Sequence, residues 1–210
     1  MKKILIILAL CMFCLGAKAQ EKVYEVKSGI ITMEMEMMGR TIVQEIHFDD
    51  YGAKQATISE RRGKKMRGVV VDGEMLMIDD EAKIGMKMPA MGMGAGSEKI
   101  NFLNKDEKYI KKNKIKVLGT ETMLGRECTI YSVSLFMMGQ VVKQTVWVYK
   151  GITLKSSITT DFGEMVQMAT NLVEDVEIPA EIFEVPEGLE IRTMSRGPMG
   201  GGGNFGGGEF

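Results

Sequence analysis

The chain has 210 residues, with 27 Lys and Arg against 28 Asp and Glu, a single His and a formal net charge of −1. That balance removes the electrostatic grounds for expecting nucleic acid or an anionic membrane as a partner. A hydrophobic share of 45 % is enough for one packed domain and excludes wholesale disorder.

Residues 1–19 fix the compartment. Lys2 and Lys3 form a basic n-region, Ile4 to Leu15 an apolar run, and Ala17-Lys18-Ala19 a small-residue cleavage site. This is the layout of a secretory signal peptide, and the run is too short to cross a bilayer as a helix. A mature chain beginning at Gln20 is therefore expected in the periplasm or outside the cell, without a transmembrane segment. Cys11 and Cys14 lie in the leader, where Leu10 and Phe13 stand at positions that a lipoprotein signal fills with small residues. Cys128 alone survives maturation, so no intrachain disulfide is expected.

Almost every later segment reads as strand. Ser28 to Met37 alternates, with Ile31, Met33, Met35 and Met37 on one face and Thr32, Glu34 and Glu36 on the other. Thr41 to Phe48 follows, and Asp49-Asp50-Tyr51-Gly52 makes a turn before a more polar strand near Ala53 to Ser59. Arg61 to Lys65 reads as a solvated hairpin loop. Val69-Val70-Val71, Asp72-Gly73 and Glu74 to Ile78 predict a hairpin with a type I′ turn. Asp79-Asp80 turns the chain into Ile84 to Met88, and Pro89 to Ser97 reads as a mobile Gly- and Met-rich loop.

Glu98 to Lys114 is the only segment with helical patterning, with Ile100, Leu103 and Ile110 on one side and lysines opposite. Five further strands are predicted: Ile115 to Glu121, Glu127 to Phe136, Val141 to Tyr149, Leu154 to Thr160 and Met165 to Val176, with turns at Gly125 and Gly139. Short strands around one helix predict a mainly β (α+β) domain, a large antiparallel sheet that is curled or closed. Residues 20–194 form that domain. The pattern fades after Gly188, and the Gly-rich stretch 195–210 reads as a disordered tail.

The second run of strands carries a signature. Lys116-Val117-Leu118-Gly119-Thr120-Glu121-Thr122 comes first, then Gly125, Cys128 and Tyr131, then Val146-Trp147-Val148-Tyr149 and Leu154-Lys155. Phe183-Glu184-Val185-Pro186-Glu187-Gly188 closes the series. In this order the residues resemble envelope proteins of the LolA/LolB-like lipoprotein-carrier fold, and most of all the secreted domain of unknown function 4412 family. The resemblance implies a curved antiparallel sheet, a half-open β-barrel wrapped round a helical plug. It also implies an apolar concavity, which in the carriers proper accepts acyl chains.

Methionine is the compositional oddity, at 20 residues. Met33, Met35 and Met37, then Met75 and Met77, then Met86, Met88, Met91 and Met93 recur at Met-x-Met spacing. Period two can simply place them in a core. It can also line a pocket with polarizable, adaptable side chains, and Met33, Met35, Met37, Met75 and Met77 are the candidates for contact with an apolar ligand. Thioethers are soft ligands as well, so Met86, Met88, Met91 and Met93, at a strand end and loop, are the candidate site for Cu(I) or Ag(I).

Other chemistry finds little support. His47 falls on the Val43 and Glu45 face of its strand and reads as a solvated surface residue; one histidine cannot furnish a zinc protease site. Cys128 alternates with Ile130 on a face that reads as core, and is expected to be an inert thiol. Gly92, Gly94 and Gly96 lack dinucleotide-binding spacing and context. No resident cofactor is implied. The expectation is a non-enzymatic binding protein for an apolar or lipid-like ligand. The alternatives are a structural or interaction module with an envelope protein partner, and a Cu(I)- or Ag(I)-binding protein.

Overall fold

The computed structural model describes residues 22–37, 40–61, 63–71, 74–88, 100–137, 140–160 and 163–193. The leader, the Gly- and Met-rich loop and the Gly-rich tail therefore lie outside the described residues. Twelve strands make one sheet. They are β1 (Gly29–Met37), β2 (Arg40–Asp49), β3 (Lys54–Arg61), β4 (Lys64–Val71), β5 (Glu74–Asp79) and β6 (Ile84–Met88), then β7 (Lys116–Met123), β8 (Arg126–Met137), β9 (Gln140–Tyr149), β10 (Ile152–Thr160), β11 (Gly163–Glu174) and β12 (Glu190–Thr193). Their order is β12-β6-β5-β4-β3-β2-β1-β11-β10-β9-β8-β7, with only β12 and β6 parallel.

The alternation that predicts β1 and β2 sets their packing. Ile31, Met33 and Phe48 are buried together with Cys128 of β8, Ile152 and Leu154 of β10, and Ala169 and Leu172 of β11. Phe48 and Cys128 belong to strands five spacings apart, about 24 Å in a flat sheet, so their common core requires the sheet to curl. A clamp of charges reinforces the curl. Arg126 Nε donates to Glu174 Oε1 at 2.9 Å, Arg126 Nη2 donates to the Leu172 carbonyl at 3.1 Å, and Lys150 Nζ stands 3.5 Å from Glu174 Oε2. Burial raises the Glu174 pKa, but the Arg126 hydrogen bond and the Lys150 and Arg126 charges outweigh it and hold the carboxyl below its ordinary value.

The segment before β1 lies across this core. Val23 and Tyr24 N–H donate to the Tyr51 carbonyl at 3.0 and 2.9 Å, and Glu25 N–H donates to the Lys150 carbonyl at 3.0 Å. The Tyr24 ring meets Phe48 edge-on at 4.9 Å. Burial pushes the Tyr24 hydroxyl up to about 12, against a smaller lowering by the Gln55 hydrogen bond. Because that value exceeds the ordinary one of about 10, the neutral phenol's contribution to stability is intact below pH 10 and is lost as pH rises through 12. Between those limits the parent should lose roughly 2–3 kcal/mol that a Tyr24→Phe chain retains. Urea midpoints of the two proteins across that range measure the difference.

Two hairpin turns follow the glycine rule. Lys150 and Gly151 both have positive φ, 47° and 84°, between paired Tyr149 and Ile152; Leu124 and Gly125, at 50° and 72°, do the same between Met123 and Arg126. Each is a type I′ geometry. The Asp72-Gly73 pair lies outside the described residues, but the Val71–Glu74 pairing that flanks it is the predicted hairpin.

Three expectations are corrected. Of the expected helix Glu98–Lys114, whose first two residues lie outside the described ones, only the short α1, Glu107–Lys112, is helical among the described residues, and it has no buried residue. The cause is local competition: Asn101 Oδ1 accepts from Leu103 N–H and Asn104 Oδ1 from Asp106 N–H, both at 2.9 Å, which turns the chain before the helix starts. Asp106 then caps α1 through Tyr109 N–H. The helical plug thus reduces to Phe102, whose ring stacks at a tilt on Tyr131, centroids 5.0 Å apart, over Val146 and Val148. His47 is not on the surface but buried; its register partner Ala56 and that residue's partner Val69 are buried too. The fading pattern after Gly188 hides a strand, β12.

Residues 179–189 cover the opposite face of the other wing. Ala56, Val69, Leu76 and Ile78 pack there against Ile182, Phe183 and Leu189. Leu189 fits because residue 85 is glycine: a Cβ there would stand 2.5 Å from its Cδ2. Arg67, also buried, locks the segment down. Its Nη1 donates to the Ile182 and Glu184 carbonyls at 2.9 and 2.6 Å, and its Nε and Nη2 bind both oxygens of Asp80.

A candidate site on the methionine face

Cross-strand register decides which methionines meet. Ile31 pairs with Ile46, Ile46 with Thr57, Thr57 with Gly68, Gly68 with Met77 and Met77 with Met86. Direct partners point to the same side of a sheet, so Met77 and Met86 share the inner face that carries Ile31, Met33 and Met35. Met75 pairs with Met88 two residues along. Met75, Met77, Met86 and Met88 therefore form two adjacent rungs of the β5–β6 ladder, which unites residues that sequence spacing divides between a ligand set and a metal set.

Gly68 organises the group. A Cβ at that position would stand 3.0 Å from the Met77 sulfur and 3.2 Å from the Met75 sulfur, with Thr57 Cβ at 3.8 Å. Both thioethers thus lean into the space left by one missing side chain. Met75, Met77 and Met86 are half-buried. The described side chains leave this end of the inner face partly open, whereas the same face over β1 is filled.

The remaining candidates fall elsewhere. Met33 is 3 % exposed and belongs to the core beneath Tyr24; Met35 is half-buried. Strands β2, β3 and β4 lie between them and the β5–β6 pairs, a separation of about 19 Å along the sheet. Met37 ends β1 opposite Arg40, and its side chain, like that of Met88, is outside the described residues. Met91 and Met93 lie wholly outside them. Gly68 escapes a reading of the sequence, because its role appears only once β4 and β5 are in register.

Two cavities among the described residues are of note, and neither is lined by the predicted methionines. A cleft of about 500 Å³ runs beside Ile58, Lys65, Arg67, Asp80, Ile182 and Glu184 on the outer face. A smaller one, about 110 Å³, lies beneath α1 between Phe102, Ile110, Ile115 and Tyr131. Cys128 is fully buried and donates weakly to the Arg126 carbonyl at 3.7 Å. Burial pushes its thiol up, against a smaller lowering by the Met123 backbone hydrogen bond. It stays a thiol, as expected of an inert core cysteine. His47 Nε2 is 3.1 Å from Glu45 Oε2, while its buried Nδ1 has no partner among the described residues. No three His, Cys, Asp or Glu side chains converge among those residues, and no helix there is long and apolar enough to cross a membrane.

No family model and no curated protein matches the chain, so membership of the domain of unknown function 4412 family is not shown. Similarity to solved structures shows the fold. An uncharacterized conserved protein from Thermus thermophilus aligns with TM-score 0.52 at 6 % identity, over 80 % of this chain and 91 % of that one. MucB aligns with TM-score 0.50 at 16 % identity, over 79 % of this chain. This chain spans 60 % of the length of MucB, and 56 % of the chain it matches in the MucA/MucB complex of Pseudomonas aeruginosa. A putative outer membrane lipoprotein-sorting protein domain from Vibrio parahaemolyticus aligns with TM-score 0.41 at 15 % identity, over 77 % and 91 % of the two chains, too loosely to carry weight.

Proposed function

We propose that this chain is a non-enzymatic binding module of the cell envelope, built on a LolA/LolB-like half-open barrel, which holds an apolar or acyl-bearing ligand against its inner face. The observation that carries the reading is the set of half-buried methionines Met75, Met77 and Met86 on an inner face that stays partly open across this wing. Ile46 and Thr57 are half-buried there too, and Val70, the partner of Met75, is 56 % exposed. Thioether side chains are flexible and polarizable, so such a surface adapts to acyl chains of different shape. Each methylene it removes from water contributes about 0.8 kcal/mol. The leader-like residues 1–19 support a place in the periplasm or outside the cell.

A fluorescent fatty acid should bind saturably, with emission enhanced by the apolar surroundings. Met77→Leu keeps the apolar surface and should retain binding, whereas Met77→Glu places a charge on it and should abolish binding. Equal binding by the parent and the Met77→Glu protein would remove this face from the account.

One observation favours a second reading, an interaction module with an envelope protein partner. The edge strand β7 has no neighbour on one side among the described residues, and Val117 and Leu118 on it are 67 % and 59 % exposed. An open edge of that kind can take up a strand from another protein. Proline at Leu118 would block such pairing while leaving the methionine ladder unaltered.

A further inference from the structure

We propose that Met75, Met77 and Met86 form a thioether site for a soft monovalent cation, Cu(I) or Ag(I), at the Gly68 end of the inner face. The inference concerns a metal and does not depend on whether an apolar ligand binds the same face. Its basis is convergence rather than abundance. The Met77 and Met75 sulfurs both press on the same point above Gly68, 3.0 and 3.2 Å from where a Cβ would stand, and Met86 is the direct cross-strand partner of Met77. Glycine at 68 is what makes that space. Any other residue would fill it with a Cβ against both sulfurs.

The chemistry selects the ion. Thioether sulfur is soft and neutral, which suits Cu(I) and Ag(I) and disfavours Zn(II), whose sites draw on imidazole, thiolate and carboxylate. Among the described residues no such cluster of three stands anywhere that could compete. Thioethers also release no proton on binding. Affinity should therefore hardly change between about pH 5.5 and 7.5, where histidine sites weaken through protonation. Of the methionines Met86, Met88, Met91 and Met93 that spacing offers as soft-metal ligands, Met86 is the one shared with this set, whose strand register is fixed by the sheet.

The test is titration of the purified mature chain, from Gln20 on, with Ag(I), which needs no reductant, followed by anaerobic Cu(I) loading of selenomethionine-labelled protein. Ag(I) should bind at one equivalent with little pH dependence, and Zn(II) should not displace it. X-ray absorption at the copper edge should show selenium neighbours, which distinguishes methionine from Cys128. The Met75→Leu, Met77→Leu, Met86→Leu triple variant keeps apolar volume and should lose the site while still binding the fatty-acid probe. Gly68→Ala, which only crowds the two sulfurs, should weaken Ag(I) by about 10- to 100-fold with the fold intact. Three results would each overturn the assignment: a copper shell without selenium, undiminished binding by the triple variant, or loss of binding on Met91→Leu with Met93→Leu but not in the triple variant.

Discussion

Replacing Gly151 by alanine should destabilise the protein by about 3 kcal/mol or more, lowering its melting temperature by roughly 6–12 °C. Two effects add. At φ 84° an L-residue occupies the left-handed region at a cost of about 1–2 kcal/mol. A Cβ there would also run into the Val23 carbonyl oxygen, with Leu103 Cγ and Tyr24 Cα both at 3.3 Å. The carbonyl is backbone and cannot swing aside, so the segment that carries Tyr24 and Val26 must lift from the core. Thermal unfolding followed by circular dichroism measures the shift. Gly125→Ala is the control, because it shares the turn geometry at φ 72° but meets nothing within 4 Å; it should show the backbone cost alone.

Arg67→Met should cost about 2–4 kcal/mol and free residues 179–189 from the sheet. Methionine keeps much of the apolar stem but loses all four hydrogen bonds. The Ile182 and Glu184 carbonyls then lose their donor. Asp80, about half exposed, can turn to water, and this keeps the cost below that of severing a fully buried ion pair. Limited proteolysis is the informative readout, with faster cleavage in 179–189 than in the parent. Asp80→Asn, which leaves both carbonyl bonds in place, should cost much less and leave cleavage nearly unchanged.

Residues whose neighbours are close in the sequence were legible from it. The alternation in β1 and β2, the turn at Gly125 and the flanks of Asp72-Gly73 all follow from period-two burial and local turn residues. What depends on distant packing was not. β12 is four polar residues but for Ile191, and owes its place to parallel pairing with β6 and to Leu189 seated on Gly85. His47 shows the same limit, since it is buried beside its register partner Ala56 while Val43 and Glu45 on the same strand face stay exposed. The lysine-rich helix is cut short by Asn101 and Asn104, whose side chains bind nearby backbone instead. As for the site, the Met-x-Met pairs were visible as a pattern, but spacing alone does not say which of them lie side by side. Only the β4–β5–β6 register shows that Met75 pairs with Met88 and Met77 with Met86, and that Gly68 faces the Met75 and Met77 sulfurs.

Native mass spectrometry of the protein released from the envelope without detergent reports on whether the methionine face holds an apolar ligand. It should reveal a population heavier than the polypeptide by the mass of an apolar molecule, removed by organic solvent and absent from the Met77→Glu protein. A chain that carries only its own mass, and that gives no adduct after incubation with lipid extract, would contradict such binding.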